Sequence, residues 1–304
     1  MSASPCGICH HDRGEPVLDI VDREGRPLQL VRCRSCALVQ VDRAPAAEEL
    51  LRYYSKYCYD SEESWAISPA TQASIGRVAD RMEPYRSSGR VLDVGSGAGA
   101  FLAGFAARGW RVEGTELSDV AASRLRSGGV TMHCGTLEAL GLAPNTYDVI
   151  IMSELLEHLL DPGGVLTTAF GLLRPGGALY LTTPNFGSLS RRVLGSRWRV
   201  IAPPEHLSYF TEKSVARLLT ACSYRLREVW SDGINPYELR AARKTAGNGD
   251  AIPDRRGAMT ASEELREATL RSPLAAALKS AVNGTLRVFG LGDTLKAVAE
   301  RPEP

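Results

Sequence analysis

The sequence predicts an α/β protein: a doubly wound, largely parallel sheet of seven strands, preceded by a small cysteine-bearing module. Three observations predict it. From Gly89 onward, short apolar runs alternate with helical patterns. The first run ends in a glycine-rich turn, Gly95-Ser96-Gly97-Ala98-Gly99. Apart from that rhythm stand Cys6-Gly7-Ile8-Cys9 and Cys33-Arg34-Ser35-Cys36, two pairs separated by 23 residues. Alternation of strand and helix specifies parallel strands joined by helical crossovers.

Residues 1–42 carry the cysteine pairs around two runs of alternating apolar character, 17–21 and 28–31, which read as a short hairpin. Residues 43–88 form a helical linker or lid, with patterns at 46–54 and 69–85. The aromatic run 53–59 between them either lines a pocket or packs one domain on another. Residues 89–236 are the core. Strands are expected at 90–94, 111–115, 130–134, 147–153, 178–183 and 225–231, and helices at 100–108, 119–127 and 211–221. A further helix stops at Arg174-Pro175-Gly176-Gly177. The run 147–153 is almost continuously apolar, as a buried parallel strand is. Residues 237–290 read as a helical insertion or cap, the alternative being a C-terminal helical tail. Residues 291–304 hold the last strand, which alternates like an edge strand from Asp293 to Glu300 and is expected beside the sixth. No internal repeat is visible.

Composition bounds the function. The 304 residues are 44% apolar and 23% charged, with a net charge of +1. A folded core is therefore expected, and bulk capture of nucleic acid, which needs a basic face, is not. No stretch approaches the roughly 20 apolar residues of a membrane span, and the first residues lack a secretory signal. A cytoplasmic protein with no membrane partner is expected, as a monomer or homodimer.

Two C-x-x-C knuckles in a reducing compartment read as metal ligands before they read as disulfides. Cys6, Cys9, Cys33 and Cys36 together would close a tetrahedron around Zn²⁺, a structural site in a zinc-ribbon-like module. His10 or His11 is a candidate substitute ligand, and a redox dithiol is the competing reading. Cys58, Cys134 and Cys222 stand alone and read as small buried apolar residues.

The turn after the first core strand lets backbone approach a ligand closely. Gly95-x-Gly97-x-x-Ala100 also satisfies a dinucleotide fingerprint. Asp93 argues the other way: at the strand end it repels a pyrophosphate and attracts an ammonium group. Gly99 completes G-x-G-x-G, and Glu116 ends the second strand where a carboxylate accepts from two ribose hydroxyls.

With VLDVGSGAG (91–99), VEGTELS (112–118), YDVIIMSELLEHLLDP (147–162), LLRPGGALYLTTPN (172–185) and PPEHLSYFT (203–211) in this order, residues 89–236 resemble a class I S-adenosylmethionine-dependent methyltransferase with a Rossmann-like sheet. The resemblance implies S-adenosyl-L-methionine as cofactor and a small-molecule methyl acceptor. It places Asp93 and Gly95 at the methionine end, with Ser96 and Gly99 in the same loop and Gly97 beneath the cofactor. Glu116 would bind the ribose, Leu117 and Leu137 would flank adenine, and Ser153 and Glu154 would face the sulfonium. Thr136 stands where family members often carry an acidic residue, so the adenine amino contact has no candidate.

The resemblance also offers His206, beside Glu205, as general base; an imidazole titrating near pH ~6.5 suits that work. The Glu-His pair resembles that of zinc-bearing sugar C-methyltransferases; the competing reading has His206 capping or packing a loop. Glu154, Glu157 and His158 share one face of a helix at i, i+3 and i+4. With His206 they form a candidate divalent-cation site, for Mg²⁺, with one open position. The letters E-x-x-E-H resemble the metal site of ubiquinone-pathway O-methyltransferases and small-RNA 2′-O-methyltransferases, and they also occur in members that use no metal. Arg191, Arg192, Arg197 and Arg199 make a basic segment that either clamps a phosphate or carboxylate or forms a solvated surface.

The double knuckle ahead of such a core resembles bacterial C-methyltransferases of nucleotide-linked deoxysugars, although those carry a large further C-terminal domain that this chain does not match. The acceptor expected is a nucleotide-linked sugar or natural-product intermediate, methylated at C or O. The alternative is a Mg²⁺-dependent O-methyltransferase of phenol or quinone-like hydroxyls, or of RNA 2′-hydroxyls. A nicotinamide oxidoreductase or a silent binding scaffold completes the set of readings.

Overall fold

A computed structural model describes residues 5–11, 14–22, 24–55, 65–235, 239 and 272–303. Cys58, the aromatic run beyond Ser55 and most of the expected insertion at 237–290 lie outside the described residues. The chain divides into two compact units, one of residues 1–43, 183–215 and 230–296, the other of 44–182, 216–229 and 297–304.

In the first unit, β1 (Gly14–Val21) and β2 (Pro27–Cys33) form the expected hairpin, longer than its alternating runs. β3 (Val39–Val41) pairs antiparallel with β2, and β9 (Ser208–Tyr209) pairs antiparallel with β3, completing a four-stranded sheet. Neither short strand is visible in the sequence, because two or three residues show no period.

The seven-stranded sheet consists of β4 (Arg90–Val94), β5 (Arg111–Glu116), β6 (Thr131–Cys134), β7 (Tyr147–Ser153), β8 (Leu173–Pro184), β10 (Arg225–Asp232) and β11 (Thr294–Glu300), in the order β10-β11-β8-β7-β4-β5-β6. The β6-β5-β4-β7-β8 run is parallel. β7 lies near the centre and is buried from Tyr147 to Met152, which explains its unbroken apolar character. β11 lies beside β10, the sixth of the expected strands, as expected, but inside the sheet rather than at its edge: β8 flanks it on the other side and β10 takes the edge. Its direction is antiparallel, since Arg301 N–H bonds Gly177 C=O while Asn185 N–H bonds Asp293 C=O. The charges that gave it an edge-like look are paired: Lys296 with Asp232 at 2.8 Å and Glu300 with Arg227 at 2.6 Å.

The helices begin where capping chemistry dictates. α1 (Ala47–Ser55) and α2 (Pro69–Met82) precede the sheet; Ser68 caps α2 by accepting from Thr71 N–H, with Pro69 at its first position. α3 (Ala100–Ala106) starts from Gly99, α4 (Asp119–Ser127) from Ser118, and α5 (Pro162–Leu172) from Asp161, which accepts from Gly164 N–H. α6 (Leu189–Leu194), α7 (Glu212–Ala221) and α8 (Pro273–Val288) follow. Asp148, fully buried at the start of β7, accepts from Ser87 N–H, Gly89 N–H and Arg174 Nε. Burial alone would raise its carboxyl, but these amides and the guanidinium outweigh it and hold it below the ordinary carboxylate range. That carboxylate fixes where β4 begins.

The expected helical face of Glu154, Glu157 and His158 does not form. Glu154 has φ +50, and a single 3₁₀ turn, Leu156–His158, follows it. Cys134 is exposed rather than buried, at the end of β6.

Candidate functional site

In the second unit, the loop after β4 is held by β5. The Gly95 and Ser96 N–H groups both bond Thr115 C=O at 3.0 Å, and Ser96 Oγ donates to Asp93 C=O at 2.9 Å. Gly95 and Gly99 are in the left-handed region, φ +72 and +77. A Cβ would meet only movable leucine methyls, of Leu155 at Gly95 and of Leu125 at Gly99, so it is the backbone conformation that calls for glycine at these two positions. Gly99 then opens α3.

Glu116 closes the same loop. One oxygen accepts from Gly97 N–H at 2.9 Å, the other from Leu117 and Ser118 N–H at 2.7 and 3.0 Å. Its carboxylate thus stands at the N-terminus of α4, where negative charge is favoured. Leu137 is buried and Leu117 half-buried, beyond the ends of β6 and β5.

Asp93 is the anomaly. It is 3% exposed, and its Oδ2 has no hydrogen-bond partner among the described residues. Burial, then the like charge of Glu116, pushes its carboxyl up to about 7. A buried carboxylate without a partner costs free energy unless a cation or donor meets it. The residues present therefore fit a ligand with an ammonium group near Asp93 and hydroxyls near Glu116.

At the end of β7, Ser153 and Glu154 converge on Thr182. The threonine hydroxyl donates to Glu154 Oε1 at 2.8 Å and lies 3.0 Å from Ser153 Oγ, while Glu154 N–H bonds Thr182 C=O at 2.9 Å. Glu154 thus shares no helical face with Glu157 and His158. His158 instead stands between two other groups: Tyr54 Oη at 2.6 Å from Nδ1, and the buried Glu157 carboxylate at 3.8 Å from Nε2. Tyr54 was not legible as a site residue; its partner lies 104 residues away, and the only signal was the density of aromatics around it.

In the first unit, His206 is 9% exposed and Glu205 is buried beside it. His206 Nδ1 lies 2.6 Å from Val200 C=O. A carbonyl only accepts, so the proton sits on Nδ1 and Nε2 is the basic nitrogen.

The four knuckle cysteines are free thiols whose sulfurs all lie within 4.8 Å of one another. The knuckles are built alike. His10 N–H bonds Cys6 C=O and Ala37 N–H bonds Cys33 C=O; Cys6 N–H bonds His11 C=O and Cys33 N–H bonds Leu38 C=O. His10 and Ala37 both have positive φ, +55 and +65. Gln40 ties the first knuckle down, accepting from Gly7 N–H and donating to Pro5 C=O. Burial pushes the Cys6 thiol up to about 11 and Cys36 higher still. At Cys9 the burial effect is outweighed by the His11 amide and the Cys33 thiol, bringing it down to about 7. Four sulfurs this close, two of them reluctant to ionise, fit a divalent metal that ionises them together. His10 and His11 lie outside this set.

Residues 69–229 match the family model described as a methyltransferase domain. The ubiquinone biosynthesis O-methyltransferase of Parvibaculum lavamentivorans is 32% identical over 203 residues, covering 62% of this chain and 80% of that protein. The enzyme of the same name from Burkholderia ambifaria is 36% identical over 103 residues, 32% of this chain and 44% of that protein. Among solved structures, an S-adenosylmethionine-dependent methyltransferase from Thermotoga maritima, described as a possible histamine N-methyltransferase, aligns with a TM-score of 0.50 at 18% identity, covering 76% of this chain and 89% of that one. At that identity the likeness concerns the fold alone.

Proposed function

The chain belongs to the class I S-adenosylmethionine-dependent methyltransferases, and from that premise we propose that it methylates a small biosynthetic intermediate with His206 as general base. The observation that carries the cofactor assignment is the Oδ2 of buried Asp93, which has no hydrogen-bond partner among the described residues. S-adenosylmethionine, when bound, supplies a methyl group on a sulfonium, ready for displacement. Asp93 would hold its ammonium and Glu116 its ribose hydroxyls, with Gly95, Ser96, Gly97 and Gly99 shaping the loop. Leu117 and Leu137 would flank the adenine, with Ser153 and Glu154 on the sulfonium side. The chain's remaining work is to orient the acceptor and remove its proton. His206 Nε2 takes that proton, and the Val200 carbonyl holds the tautomer that makes this nitrogen basic.

The acceptor class proposed is a nucleotide-linked sugar or related natural-product intermediate, methylated at C or O. It is supported by the paired cysteine knuckles ahead of the core and by Glu205-His206. Cys6, Cys9, Cys33 and Cys36 would hold a structural Zn²⁺. A second reading, O-methylation of a quinone-like hydroxyl, is favoured by the relatives named for ubiquinone biosynthesis. Glu154, turned to Thr182, does not support the Mg²⁺ site expected with it.

The test is methyl transfer from S-adenosylmethionine to two acceptor pools, read by mass spectrometry with and without Mg²⁺. Product among nucleotide-linked sugars regardless of Mg²⁺ is expected. Product only among phenols and quinols would replace the first acceptor reading by the second, and no product in either pool would refute both.

A further inference from the structure

The basic segment after β8 meets the first unit's sheet in a way the methyl-transfer chemistry leaves unused. Arg191 Nε donates to Phe186 C=O at 2.9 Å, and Arg192 Nε donates to Gly187 C=O at 3.0 Å. Consecutive carbonyls thus fix both guanidinium groups by one edge, and their Nη groups keep their donors. The Arg191 guanidinium lies 4.3 Å over the ring of Phe186, which is buried against Trp198 and Tyr209. Strand register brings a third cation to the same place. Arg32 is directly opposite Val39, and Val39 directly opposite Tyr209, so the three side chains leave one face of the sheet in a row.

No carboxylate neutralises the group among the described residues. Glu15, across from Arg32, pairs with Arg34 at 3.1 Å. Arg191, Arg192 and Arg32 make no ion pair there. Burial, then the like charges of Arg192 and Arg32, lowers the pKa of Arg191 below that of a free guanidinium. Three forked cations held together against their own repulsion suit an anion with several oxygens.

We propose that Arg32, Arg191 and Arg192 form a binding site for a phosphate-class anion, the diphosphate of a nucleotide-linked acceptor. The proposal rests on the small-molecule reading above. Arg191, anchored on its aromatic bed, is the fixed element; Arg32 and Arg192, both exposed, close on the ligand from either side.

Calorimetry on the full chain would use three probes: UDP, inorganic pyrophosphate and uridine. UDP and pyrophosphate should bind and uridine should not. Tighter binding of UDP than of pyrophosphate supports a nucleotide-linked ligand; equal binding supports the site with a free phosphate group as its ligand. Arg32→Gln and Arg192→Gln change exposed side chains and should each weaken UDP about tenfold, the effect of losing one charged hydrogen-bond partner. Arg191→Ala should weaken it further, and the two exposed variants keep the test valid if that one folds poorly. Wild-type affinity in both glutamine variants, or no binding of either phosphate below millimolar, would overturn the site. So would an oligoribonucleotide that displaces UDP at a lower concentration than pyrophosphate does. S-adenosylhomocysteine binding and methyl transfer, measured in the same preparations, separate failure of this site from failure of the methyltransferase reading.

Discussion

Asp93→Asn should make the protein more stable and less able to bind its cofactor. Asp93 is 3% exposed, with one oxygen unpartnered among the described residues and Glu116 as a like-charged neighbour. Raising a carboxyl from 3.8 to about 7 disfavours its ionised form by about 4 kcal/mol. A folded pKa raised above the unfolded one means that stability is intact below about pH 4 and is lost as pH rises towards 7. At pH 8 the full penalty applies, and asparagine removes it while leaving an amide that costs about 1–3 kcal/mol if unsatisfied. A net gain of about 1–3 kcal/mol is expected at pH 8, shrinking at pH 5, where folded Asp93 is already mostly protonated. The same change removes a charged partner for the ammonium, so S-adenosylhomocysteine should bind about 10- to 100-fold more weakly. Wild-type affinity should itself fall about tenfold between pH 8 and pH 6, and the variant's profile should be flatter. Thermal unfolding at the two pH values and calorimetry of S-adenosylhomocysteine check both halves. A variant that is less stable at pH 8 and binds the cofactor as tightly would refute the reasoning.

Three further outcomes follow from the same geometry. His206→Ala should lose at least about 100-fold in turnover with cofactor affinity unchanged, measured by product formation beside calorimetry; unchanged turnover would remove His206 from the chemistry. Cys33→Ser should release the metal and destabilise the chain by several kcal/mol, read as zinc content by elemental analysis and as a lower unfolding midpoint; full stability without zinc would sink the closed site. Tyr54→Phe removes the hydroxyl 2.6 Å from His158 Nδ1 and should cost about 1 kcal/mol of stability. An additional shift in the pH–rate profile would place His158 in the chemistry, whereas a profile identical to the wild type's confines the pair to packing.

Much of this was legible in the residues, for reasons that can be named. β7 announces itself because a strand buried on both faces must be apolar throughout, and the loop 95–99 because close backbone approach needs glycine. The knuckles declare themselves because four thiols at that spacing serve few other ends. What was hidden depends on partners distant in the chain. β3 and β9 are too short to show a period and exist because Val39 finds Tyr209. β11 looked like an edge because Lys296 and Glu300 interrupt it, and only the folded chain supplies Asp232 and Arg227 to neutralise them. Glu154, Glu157 and His158 looked like one helical face because their spacing fits a helix. The bond from Glu154 N–H to Thr182 C=O, with φ of +50, breaks that face before it starts. Arg32 gave no sign of belonging with Arg191, since the register of three strands joins them.

Asp93 is proposed to hold the cofactor's ammonium group through Oδ2, which has no hydrogen-bond partner among the described residues. The most direct test is a crystal structure with S-adenosylhomocysteine, reading the distance from its ammonium nitrogen to Asp93 Oδ2. The account predicts about 3 Å there, with both ribose hydroxyls on Glu116. A bound cofactor whose ammonium lies elsewhere, with Oδ2 still unpartnered, would contradict it.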